Sequence, residues 1–121
     1  MKHSILSILA LALIALSSSC SKQYSPSDVA ELYYQAIINK DFAKAVTYTS
    51  ADSADYQEGA AFIELFMNDL GDNPSFKAIS DSISDDGKTA KVKIHSVTFD
   101  EEADFNVDMV LKDNQWKVLF M

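Results

Sequence analysis

The chain has 121 residues, 48% of them hydrophobic, with 18 acidic against 10 basic side chains and a formal net charge of −8. That length supports one modest core rather than two, and a negative field of this size repels phosphate backbones, which excludes nucleic acid as a partner. With one cysteine and only three glycines, at 59, 71 and 87, the chain has no intrachain disulfide and no glycine-rich loop to cradle a phosphate.

Lys2 precedes Ile5 to Leu16, twelve residues without a charge and with one hydroxyl, and Ser17, Ser18 and Ser19 then lead into Cys20. A positive start, a short apolar run and a cluster of small residues make an export signal. As a helix the run would cover about 18 Å of a hydrocarbon core about 30 Å thick, too little to span comfortably. The arrangement resembles a bacterial lipoprotein signal, which implies removal of residues 1–19 and acylation of Cys20. It departs from that pattern at Ser17, where an aliphatic residue is usual, with Leu16 one position further back. Two acyl chains on Cys20 would anchor the protein stably, each buried methylene contributing about 0.8 kcal/mol. The expectation is therefore a cell-envelope protein tethered through residues 20–24 to a bacterial membrane, facing the periplasm, with residues 25–121 as one domain. Loss of Lys2 leaves nine bases against eighteen acids, a net charge of −9 before the terminus is modified.

Ser25-Pro26-Ser27-Asp28 reads as a helix start, with Ser25 as N-cap, Pro26 at the first helical position and Asp28 closing a capping box. Val29, Leu32, Tyr33, Ala36 and Ile37 follow at the spacing of one buried face. Asn39-Lys40-Asp41 ends that helix, and Asp41 caps a shorter second one with Phe42, Ala45, Val46 and Thr49 along one side. The pattern predicts a third helix from Ser53 to Leu70, with Phe62, Ile63, Phe66, Met67 and Leu70 facing inward and Gly71 at its C-terminal cap.

After the turn at Asp72-Asn73-Pro74-Ser75 the period becomes alternating, and four strands are predicted. Asp86-Gly87 is a type I′ hairpin signal that sets Ile83 opposite Ala90 and Ile79 opposite Ile94. Further out, Phe76 opposite Val97 puts the apolar set on the other face, which implies a bulge, a strong twist, or a sheet covered on different faces at its two ends. In the last hairpin an Asp113-Asn114 turn pairs Leu111 with Trp116, Met109 with Val118 and Val107 with Phe120, all on one face. Helices followed by an antiparallel meander give an α+β fold, three N-terminal helices packed on a curved, mainly antiparallel four-stranded sheet.

Chemistry-bearing patterns are sparse. Beyond residue 19 the chain has a single histidine, His95, on a strand beside Lys93 and Val97, and no G-x-S-x-G elbow; a half-buried strand histidine is the simpler reading. The segment Ser82 to Lys93 carries Gly87 where a calcium loop needs its glycine, but lacks the acidic ligands. Asp100, Glu101, Glu102 and Asp104 form a local negative cluster that reads as a solvated hairpin loop. No catalytic residue, metal or cofactor is expected from these patterns.

The run Ser25 to Val29 leading to Tyr33-Tyr34, then Asp41-Phe42-Ala43-Lys44-Ala45-Val46, and the closing Trp116-Lys117-Val118 resemble the nuclear-transport-factor-two-like superfamily, and within it small bacterial lipoproteins with an uncharacterised domain. The resemblance spans about residues 25–121. It implies a cone of helices and bent sheet whose interior some relatives use for catalysis and others for ligand binding or dimer contacts; function must then be argued from the site. The expected function is non-catalytic binding of a small apolar ligand or an envelope protein, with a homodimer left open. The alternative is an isomerase- or cyclase-like enzyme of the ketosteroid-isomerase type, drawing on Asp104 or Asp108 and on Tyr33, Tyr34, Tyr48 or Tyr56. A binding pocket would be enclosed, an enzyme would bring a buried carboxylate to a tyrosine hydroxyl, and a protein-interaction module would have a filled cone and an exposed apolar patch.

Overall fold

The computed structural model describes residues 23–120; the expected signal segment and Cys20 lie outside the described residues. The first helix, α1 (Pro26–Ile38), starts where predicted. Ser25 Oγ accepts from the Asp28 amide at 3.1 Å, and the Asp28 carboxylate accepts from the Ser25 amide at 3.3 Å. This reciprocal cap satisfies two of the amides a helix start leaves without partners. Val29, Tyr33, Ala36 and Ile37 are buried along its inner stripe, while Leu32 is half-buried. Lys40, at φ 58°, turns the chain out of α1, and Asp41 caps α2 (Phe42–Thr47) by accepting from the Lys44 amide at 3.1 Å.

Thr49 belongs to no helix, although the spacing placed it on the second. It forms an isolated parallel bridge to Val118, and its hydroxyl donates to the Val46 carbonyl at 2.7 Å. A 3₁₀ turn at Ser53–Asp55 leads into α3 (Tyr56–Met67), whose C-cap is Asn68 rather than Gly71. Gly71 lies three residues further on at φ +79°, where its amide donates to Asp69 Oδ1 at 3.1 Å.

The sheet is an antiparallel meander in the order β1 (Ser75–Ile83), β2 (Thr89–Thr98), β3 (Glu101–Lys112), β4 (Gln115–Val118). The Asp113-Asn114 turn forms as predicted, both residues at positive φ (52° and 63°), and pairs Leu111 with Trp116 and Met109 with Val118. The predicted Val107–Phe120 pair does not form a rung. The chain leaves the sheet after Val118, and the Phe120 amide donates to Ser50 Oγ at 2.9 Å.

At the first hairpin the register is as predicted around Ile83 and Ala90, but the turn chemistry differs. Of its central residues only Gly87 has positive φ, at 72°, so the connection is not type I′. Its loop runs from Asp85 to Lys88, closed by Ser84 and Thr89 and by the Gly87 amide donating to the Ser84 carbonyl at 2.9 Å. The expected irregularity is a bulge at Ile79, which moves Ala78 opposite Ile94 and Phe76 opposite Ser96, in place of the predicted Ile79–Ile94 and Phe76–Val97 pairs. The side chains of α1 brace this bulged edge: Glu31 Oε1 accepts from the Ala78 amide at 2.9 Å, and Ser27 Oγ donates to Asp81 at 2.6 Å.

The core between α1, α2 and the sheet is packed around Ile37, Val46, Val92, Ile94 and Met109, each no more than 1% exposed. Beside it an open cavity of about 580 Å³ has Val29, Leu32, Tyr56 and Trp116 in its lining. α1 lies across β1, β2 and β4, whereas α3 packs chiefly on α2. Among the described residues no helix is long and apolar enough to cross a membrane.

Candidate functional site

α3 differs most from its sequence reading. Of its predicted inward face only Ile63 is buried, at 3% exposure; Met67 and Leu70 are half-buried, and Phe62 and Phe66 are 50% and 65% exposed. Gly59 joins Ile63 on the contact line with α2, and an added Cβ at Gly59 would lie 2.7 Å from Val46 Cγ2. Such close approach fixes the helix's rotation about its axis. At 100° per residue, Phe62 and Phe66 then point to one side of the contact line, and Leu65, 76% exposed, points away from it.

The exposed side of α3 forms one wall of an open apolar groove of about 400 Å³. Phe62, Phe66 and Met67 face Leu119 and Phe120, with Tyr33 and Ile63 at its floor. Phe62 lies 4.8 Å from Phe66 and 5.8 Å from Phe120 between ring centroids, the second pair edge-to-face. Neither wall contributes a charged side chain to the lining. Leu65, Leu119 and the exposure of both phenylalanines escaped the sequence reading. The signal was present in the width of the apolar arc on α3, which exceeds what one neighbouring helix can cover.

The residues of the enzymatic alternative are dispersed. Tyr34 stacks on Phe76 at 4.5 Å and meets Phe105 edge-on at 6.0 Å. Burial, with Tyr33 beside it, pushes its phenol pKa up, and burial raises Tyr33 too; both stay neutral. Tyr48 and Tyr56 line a different cavity with Tyr24 and Trp116, next to Gln23. Asp104 and Asp108 occupy the opposite, solvent-facing side of the sheet. Asp108 pairs with Lys91 directly across the strands at 3.0 Å, and Lys117 donates to the Thr47 carbonyl at 2.8 Å.

His95 is half-buried as predicted, and its Nδ1 lies 2.6 Å from Asp104 Oδ1 while Nε2 lies 3.5 Å from Glu102. Asp100 falls in the β2–β3 turn, and Glu101 and Glu102 begin β3. The hydrogen bond to Asp104, aided by the two negative charges, raises the His95 pKa above its ordinary 6.5. The stabilisation from this pair is fully present below about pH 6.5 and is lost as pH rises through the raised value. In an NMR titration the His95 ring should titrate above its ordinary value, and Asp104→Asn should move it back down. An unchanged midpoint would show that Asp104 does not hold the proton. Among the described residues no cluster of histidine, cysteine and carboxylate side chains is arranged to hold a metal ion.

No protein-family profile matches the chain, and a search of curated proteins gives no match. A search of solved structures gives a crystal structure of a Campylobacter jejuni protein described provisionally as an NTF2-like transpeptidase. The two superpose with a TM-score of 0.54 over 81% of this chain and all of the other, at 17% sequence identity. At that identity the likeness carries the arrangement of helices and sheet and leaves the chemistry to be argued from the residues. The α+β domain of residues 23–120 thus has the nuclear-transport-factor-two-like fold.

Proposed function

We propose that this protein is a membrane-anchored lipoprotein of the cell envelope that works without catalysis, by binding another protein through the groove beside α3. The observation that carries this reading is a packed interior combined with exposed Phe62, Leu65, Phe66 and Leu119, at 43% to 76% exposure. Large contiguous apolar surfaces of this kind mark interaction sites. A small apolar ligand calls for walls that exclude water on most sides, and this groove is open along its length. Acyl transfer, the chemistry in the provisional description of the Campylobacter protein, needs a nucleophile within reach of its base. Both ring nitrogens of His95 face carboxylates instead.

The test is a photo-crosslinking amino acid placed at Leu65 in living cells, with Lys93 on the opposite side of the sheet as control. A discrete protein adduct at residue 65, absent at 93 and lost on Phe62→Ser, is expected. Equal labelling at both positions, or none, would sink the reading. Membrane attachment is tested separately by Cys20→Ala, which should release the protein into the soluble fraction.

A further inference from the structure

Whatever docks on this fold has few routes. The outer edge of β1 is braced against α1 through Glu31 and Asp81. The free edge of β4 is taken by the Thr49 segment, with the Val118 amide donating to the Tyr48 carbonyl and the Ser50 amide donating to the Val118 carbonyl, both at 2.8 Å. Strand addition is therefore blocked at both sides of the sheet. The groove remains, running beside a helix of 12 residues, about 18 Å long. That length suits an amphipathic helix presenting anchors at i, i+3, i+4 and i+7.

The charge carried by α3 itself has one sign. Between Lys44 and Lys77 the sequence has no basic residue, but it includes Glu58, Glu64, Asp69 and Asp72. Glu58 lies one turn before Phe62, and Asp69 follows Phe66 by three residues, so both border the aromatic ridge. Both are exposed, and among the described residues neither forms an ion pair. Glu64, two residues from each phenylalanine, lies on the far side of the helix. The last turn of α3 has no base of its own, but the Lys40 ammonium donates to the carbonyl and side chain of the C-cap Asn68 and offsets the partial negative charge of the helix end.

Building on the reading that the groove docks a protein, we infer that its partner is a basic amphipathic helix, with apolar anchors set between Phe62, Phe66 and Leu119 and lysines or arginines meeting Glu58 and Asp69. A second copy of this chain would bring acid against acid across the same surface, which costs rather than stabilises. An anionic lipid surface is repelled by the same rim.

The experiment uses the full chain in phosphatidylcholine nanodiscs, with empty nanodiscs as reference. Three labelled amphipathic peptides of equal length are compared, with leucine on one face and lysine, glutamine or glutamate on the other. The leucine–lysine peptide should bind most tightly. Phe66→Ser should weaken it about thirtyfold, as for an interface anchor, and the paired change Glu58→Gln with Asp69→Asn about tenfold, with 0.5 M salt acting in the same direction. Circular dichroism should show both variants folded like the parent. If the glutamine or glutamate peptide binds as well and is still lost on Phe66→Ser, the basic partner is overturned while the groove reading stands. Should an adduct form at residue 65 while no peptide binds, the inference falls alone. Absence of both removes both. Dimerisation lost on Phe66→Ser would give the groove to a second copy, and Phe66-dependent binding to phosphatidylglycerol vesicles would give it to lipid. Either result overturns the inference.

Discussion

Gly71→Ala should destabilise the domain by about 3 kcal/mol, which lowers the melting temperature by roughly 15 °C for a domain of this size. Gly71 sits at φ +79°, and an added Cβ would lie 2.8 Å from the Phe99 amide nitrogen and 2.9 Å from its Cα. Left-handed backbone accounts for about 1 kcal/mol of the loss; the remainder comes from a clash with backbone, which no side-chain rotation relieves. The contact is part of a docked turn. Phe99 and Asp100 both hold positive φ, at 54° and 61°, to close the β2–β3 hairpin, and the Phe99 amide donates to the Leu70 carbonyl at 3.2 Å. For a bulky residue that conformation is uncommon, and it persists because Leu70 and Gly71 seat the turn. Gly87→Ala is the internal control. Its φ is +72° but nothing lies within 4 Å of an added Cβ, so it should lose only about 1 kcal/mol. Equal losses in urea unfolding would show that seating the β2–β3 turn contributes nothing.

Gly59→Ala should cost about 2 kcal/mol, although alanine is the better helix former by about 1 kcal/mol. Its Cβ would come within 2.7 Å of Val46 Cγ2. Val46 is 1% exposed and β-branched, so it has no room to swing away. In a Val46→Ala background the clash disappears, and the same glycine change should become stabilising by about 1 kcal/mol. A double-mutant cycle measures the difference as coupling between the two positions. Absence of coupling would mean that α2 and α3 do not meet through this pair. The same contact bears on binding, because moving α3 off α2 also moves Phe62 and Phe66, so Gly59→Ala should weaken partner capture as well.

Much of the fold was readable because its determinants are local. The capping box at Ser25 and Asp28 and the Asp113-Asn114 turn each depend on residues within a few positions of one another. Asp86-Gly87 was half readable: the pairing of Ile83 with Ala90 follows from the apolar pattern, but the loop conformation follows from Ser84 and Asp86, whose side chains bond to one another at 2.6 Å. The bulge at Ile79 was expected only as an irregularity somewhere in the ribbon. Its position involves Glu31, 47 residues away from Ala78 in sequence, and no window along the chain contains both.

The groove was the least readable feature. Periodicity on α3 reports that an apolar face exists, not which part of a broad arc meets α2. That choice was made by Gly59, a residue with no hydrophobic side chain, through the close approach its missing Cβ allows. His95 was read correctly as a strand histidine, but its partners Asp104 and Glu102 follow from the β2–β3 register rather than from the local sequence.

The hydrogen bond from Gln23 Nε2 to the Asn114 carbonyl, 2.7 Å long, ties the start of the domain to the β3–β4 turn. With Cys20 acylated as proposed, only about 10 Å of extended chain would separate that turn from the bilayer surface. Such a leash would hold the β3–β4 turn close to the bilayer. α1 is about 20 Å long, and α3 starts beside Asp113, sharing a cavity wall through Tyr56, and finishes by Lys40 at the far end of α1. Phe66 thus belongs to the end of the domain away from the tether, where a docking partner would approach from the aqueous space.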